Sequence, residues 1–200
     1  MRVCKPLLLT LSIAMALAVN KKAEFKVTEE DLARHPQKVT AEQVSLAATA
    51  YVDADRAKPL FGGRANPYDN GILPVLLMIK NEGTETISLQ SLLVEFIGAT
   101  RQKLEAIPPM DVAYIRGASN SRVGSNRIPG GPGIRIKKNV FNAQDFVERS
   151  FAVKMLPPGE FAYGFVYFQT GTGHGSKVLI HGLKRAQSGK QLFFFELPLD

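Results

Sequence analysis

Phe161-Ala162-Tyr163-Gly164-Phe165-Val166-Tyr167-Phe168 places an aromatic ring at every second position of an extended stretch. A period of two is that of a β-strand, whose successive side chains point to opposite faces. Phe161, Tyr163, Phe165 and Tyr167 form one row. Such a row is expected to be buried as core rather than to line a ligand groove. The smaller Ala162 and Gly164 behind it leave room for something to pack closely. Before this strand, Pro157-Pro158-Gly159-Glu160 has the chemistry of a tight turn. Further upstream, Phe151, Val153 and Met155 alternate with Ala152 and Lys154.

Other segments repeat the pattern. Val44, Leu46, Ala48, Ala50 and Val52 alternate with Ser45, Ala47, Thr49 and Tyr51, giving a strand with one buried face. Ile72 to Ile79 is a continuous apolar run and reads as a central strand. Pro74 has no amide proton, so pairing on its side should begin after it. Asn81-Glu82-Gly83-Thr84 is a turn, and Thr86–Leu89 and Leu92–Ile97 are shorter strands, with Glu95 pointing out between Val94 and Phe96. Lys177–Ile180 and Leu192–Leu197 close the set, joined by a turn around Ser188-Gly189. About eight strands predict a mainly β fold, an antiparallel immunoglobulin-like sandwich with one to three short helices.

The helices are expected at three places. Thr28 precedes Glu29, Glu30 and Asp31, and Pro36 follows, which predicts a helix over Glu29–Arg34. Pro108-Pro109 opens a short helix through Tyr114. Asn139–Arg149 is helical if Val140, Ala143 and Val147 share a face.

The first eighteen residues are a different kind of sequence. Arg2 and Lys5 precede an apolar run that ends on Ala16-Leu17-Ala18, the pattern of a secretory signal peptide. The run is about a dozen residues, short of the roughly twenty that span a bilayer. The expected organisation is a signal peptide over 1–18, an extension over 19–42 and a sandwich over 43–200. The expected address is periplasmic or extracellular, with no transmembrane segment after cleavage. Cys4, the single cysteine, lies in the leader, so the mature chain would have no thiol for disulfide, metal or nucleophile chemistry.

Charge is concentrated in one segment. Between Asp111 and Asp145 there is no acidic residue, while Arg116, Arg122, Arg127, Arg135, Lys137 and Lys138 fall in or beside a Gly-rich loop over 112–138. These six are the candidate ligand-binding residues, because guanidinium groups clamp carboxylate or phosphate oxygens in pairs. No aromatic residue lies between Gly117 and Ile136, which argues against stacking nucleic-acid bases.

Other motifs fall short of their chemistry. Asp53 and Asp55 begin a calcium-loop pattern that Arg56 and Ala57 do not continue. His35, His174 and His181 lack the spacing of a metal set. Gly171 to Lys177 lacks the glycine that precedes the lysine of a phosphate loop, and reads as a hairpin tip. No nucleophile elbow is present. The sequence therefore offers no catalytic residue, metal site or cofactor site.

Lys58-Pro59-Leu60-Phe61-Gly62-Gly63, Asn66-Pro67-Tyr68 and Gly71-Ile72-Leu73-Pro74-Val75, with the closing aromatic strands, carry a resemblance. Over residues 43–197 the chain resembles exported bacterial proteins with an immunoglobulin-like sandwich and no assigned activity. The resemblance implies a fold and a compartment and brings no catalytic residue.

The expected function is an exported, non-enzymatic binding or structural module of the cell envelope. Its loops at 53–71 and 112–138 would contact an envelope protein or an anionic polymer or lipid surface. The alternative is a hydrolase or carbohydrate-active accessory domain with a carboxylate site. A third expectation is a structural domain whose edge strands pair with another subunit.

Overall fold

The computed structural model describes residues 25–63, 65–115, 141–172 and 175–199. The proposed signal peptide lies outside them. The elements in chain order are α1 (Glu29–Arg34), β1 (Val39–Ala41), β2 (Val44–Ala50), α2 (Ala54–Ala57), β3 (Leu73–Asn81), β4 (Ile87–Ser88), β5 (Leu93–Ile97), β6 (Lys103–Glu105), α3 (Pro109–Val112), α4 (Ala143–Val147), β7 (Met155–Leu156), β8 (Phe161–Phe168), β9 (Lys177–His181), β10 (Lys184–Arg185) and β11 (Phe195–Pro198). The strands pair antiparallel in three sheets, ordered β1-β2-β3-β8, β11-β9-β5-β6 and β10-β4-β7. The fold is mainly β, an antiparallel sandwich.

β3 sits inside the first sheet, and every residue from Ile72 to Ile79 is buried. On one face Leu73, Val75, Leu77 and Ile79 join Val44, Leu46 and Ala48 of β2. These meet Val94, Phe96, Val178, Ile180, Phe195 and Leu197 of the second sheet. On the other face Leu76 and Met78 lie with Ala47, Phe165 and Tyr167. That face is roofed by Leu32 of α1, Ala57 of α2, Leu60 and Phe61 of the following loop, Val112 of α3 and Phe146 of α4. A strand covered on both faces has to be apolar throughout, which accounts for the unbroken run.

The aromatic row therefore lies under the helices rather than inside the sandwich. Phe61 stacks on Phe146 at 5.0 Å and meets Phe165 edge-on at 5.3 Å. The Tyr167 hydroxyl donates to the Phe146 carbonyl at 2.9 Å, and burial pushes its pKa far above the usual tyrosine value. The small row faces the sandwich, as Gly164 stands in register with Leu77. A Cβ on Gly164 would sit 2.5 Å from the Phe151 Cα, so the close approach needs glycine. Pro74 also behaves as its chemistry requires. The β2 ladder begins at Val75, and Pro74 only accepts a bond from the Tyr51 amide, at 2.9 Å.

Several elements differ from expectation. There are eleven strands, four α-helices and one 3-10 turn at Tyr68–Asn70 among the described residues. β1 was not expected, because its hairpin turns on Glu42 and Gln43 at φ 48° and 62°. That geometry is ordinarily marked by Asn-Gly. β6 and β10 are too short to show a period. α2 forms inside the long loop, where Asp53 accepts from the Asp55 amide at 2.9 Å. α4 buries Phe146 and Asp145 rather than a Val140–Ala143–Val147 face, and Val140 lies outside the described residues. Val153 and Met155 are exposed while Leu156 is buried. Ser150 already bridges Phe165 in parallel, so residues 152–154 leave that edge before β7 pairs with β4.

Asn81 ties the turns at one end of the sandwich and is completely buried. Its Nδ2 donates to the carbonyls of Glu85 at 2.9 Å and Leu156 at 3.0 Å. Its Oδ1 accepts from the Gly83 amide at 3.0 Å. Replacing Asn81 by Ala leaves two buried backbone groups, the Leu156 carbonyl and the Gly83 amide, and the half-buried Glu85 carbonyl without this partner, so about 2–4 kcal/mol of stability should be lost. Urea unfolding of Asn81→Ala measures this, and a loss below about 1 kcal/mol would contradict the arrangement.

Candidate functional site

Arg116, Arg122, Arg127, Arg135, Lys137 and Lys138 lie outside the described residues, as does His174. The 53–71 loop is largely tied to the fold. Leu60 and Phe61 are buried in the aromatic layer. Asn66, 2 % exposed, donates to the Val52 carbonyl at 3.0 Å and accepts from the Tyr68 amide at 3.2 Å. Arg56 lies 4.6 Å over the Tyr51 ring. His35 is hydrogen-bonded to Thr49 at 2.9 Å, and burial lowers its pKa. The segment expected as a hairpin tip instead connects β8 of the first sheet with β9 of the second.

The outer face of the second sheet carries a different constellation. Strand register aligns its outward residues in rows. Glu196, Leu179, Glu95 and Glu105 form one row, and Pro198, Lys177, Ile97 and Lys103 the next. Leu93 stands opposite His181 on the far side of the acidic row. Glu95 Oε2 lies 3.5 Å from His181 Nε2 and 3.7 Å from Lys103 Nζ, while Glu196 pairs with Lys177 at 2.6 Å. Glu95, Lys103, His181 and Leu179 share an open groove of about 510 Å³ with Phe193 and Phe194.

Phe193 and Phe194 are 73 % and 62 % exposed. Their flanking residues, Leu192 and Phe195, are buried at 3 % and 1 %. The two rings therefore cannot turn inward without pulling core side chains out. A strand alternates, so two adjacent outward residues mark a break in the Leu192–Leu197 run. Leu192-Phe193-Phe194-Phe195 is apolar throughout, so the sequence carries no sign of this break.

Glu42 fixes the backbone at this break. Its carboxylate accepts from the Phe193 amide at 3.1 Å and from Lys190 Nζ at 3.2 Å. Its carbonyl accepts from the mostly buried Arg185. The Phe193 amide, then Lys190 and Arg185, hold the Glu42 carboxyl below its ordinary value of 4.5. The β1–β2 turn of one sheet thereby latches the segment that presents the two rings on the other.

No protein-family model and no curated protein matches the chain. Among solved structures, one similar chain is from the archaellum periplasmic stator protein complex FlaF and FlaG of Sulfolobus acidocaldarius. It is 12 % identical, with a TM-score of 0.33, and the match covers 86 % of this chain and 99 % of that one. Likeness at this level transfers neither fold nor role.

A carboxylate with a lowered native pKa adds stability above its unfolded pKa and loses it as pH falls through the native one. The melting-temperature gap between wild type and Glu42→Gln should be widest near neutral pH and should close below about pH 4.5. Thermal melts across pH measure this, and a gap unchanged down to about pH 3 would contradict the latch.

Proposed function

We propose that this chain is an exported, non-enzymatic binding or structural module of the cell envelope, and that a protein partner docks on the outer face of its second sheet. The leader-like residues 1–18 support export. The exposed Phe193–Phe194 pair carries the docking assignment. Aromatic side chains are enriched in the cores of protein interfaces. On the same outer face Leu93, opposite His181, is 52 % exposed. Preorganisation supports the reading, since the latch and the buried flanks fix the backbone that presents the two rings. The basic loop at 112–138, with its six cationic residues, is the second contact element.

The test is sedimentation of envelope extracts from native cells producing full-length wild type or Phe193→Ser/Phe194→Ser. Wild type is expected in a larger assembly, with a mature N-terminus near Val19, and the variant as a lone folded chain. Wild type sedimenting alone, a variant that stays in the assembly, or an intact Met1 would each overturn the proposal.

A further inference from the structure

Glu95 and Glu105 stand directly opposite one another on β5 and β6. Like charges at directly opposed positions destabilise a sheet. Glu95 is relieved by His181 at 3.5 Å and Lys103 at 3.7 Å. Glu105 has no ion-pair partner among the described residues. Glu95 and Glu105, with His181, line a slot of about 290 Å³ at the seam between the two large sheets. Its walls include Val94, Ala106, Phe151 and Val166. Beyond Glu95 and His181, the open groove leads to Phe193 and Phe194. An apolar slot, an anionic rim and an aromatic platform thus follow one another along one face.

That sequence of surfaces matches a long cationic side chain. The stems of lysine and arginine bury along apolar surface while the charged head stays at the rim. A head placed between Glu95 and Glu105 would make charge-assisted hydrogen bonds and cancel the repulsion of the opposed pair. We infer that a lysine or arginine of the docking protein lies across the mouth of this slot, its stem along the exposed apolar surface and its head between Glu95 and Glu105, while its neighbouring apolar residues rest on Leu93 and Phe194. This inference rests on the docking reading proposed above and specifies the chemistry of the partner.

The probes are two peptides, acetyl-Leu-Lys-Phe-amide and acetyl-Leu-Gln-Phe-amide, titrated into the ¹⁵N-labelled mature chain. The lysine peptide should give saturable amide shifts at Val94, Glu95, Glu105 and Phe194. The glutamine peptide, and the lysine peptide on Glu95→Gln/Glu105→Gln, should bind at least about tenfold more weakly. Glu105→Gln alone should melt no lower than wild type, because it removes an opposed charge. Equal binding of the two peptides, shifts that avoid these residues, or a lower melting temperature for Glu105→Gln would overturn the inference. If Phe193→Ser/Phe194→Ser releases the native assembly while Glu95→Gln/Glu105→Gln does not, the docking reading stands and the cationic anchor falls.

Discussion

Burial of β3 on both of its faces is the constraint on which the rest of the structure depends. A sheet with one wet face needs one partner layer. A sheet whose middle strand is apolar from Ile72 to Ile79 needs two. The second sheet supplies one layer, and the short helices with the 53–71 loop supply the other. Phe61 and Phe146 are therefore held in place by the same strands that hold Val178 and Ile180 on the opposite side.

This demand also explains where the free surface lies. Among the described residues the first sheet is covered on both faces over its centre, and its β1 edge is three residues long. Short edges are a common defence against unwanted strand pairing. Among the described residues the second sheet is buried on its inner face only. Its outer face is where charged rows and exposed rings can coexist without cost to the core. The Glu42 latch connects the two sheets at that point and ties the β1–β2 turn to the backbone that presents Phe193.

Much of the fold was legible in the sequence, because a large buried sheet face imposes a period. β2, β3, β5 and β8 followed from alternation or from an unbroken apolar run, and α1 from its capping residues. β1 was not legible, since Glu42 and Gln43 are ordinary residues forced into positive φ. The docking face was only half legible. Glu95 could be read as outward between Val94 and Phe96, but Glu105 and His181 reach it through strand register, which local sequence does not encode. The six cationic residues of 116–138 were conspicuous by composition. The latched phenylalanines were hidden inside what looked like a plain strand.

If one doubly covered sheet holds both layers, weakening either layer must weaken the other. Native-state hydrogen exchange in Phe61→Ala, which removes a ring 1 % exposed beneath the helices, tests this most directly. Protection should fall by a similar amount at Tyr167 and at Val178 and Ile180 across the sandwich. Unchanged protection at Val178 and Ile180, with loss confined to residues 53–71 and 141–151, would contradict the dependence of the whole on β3.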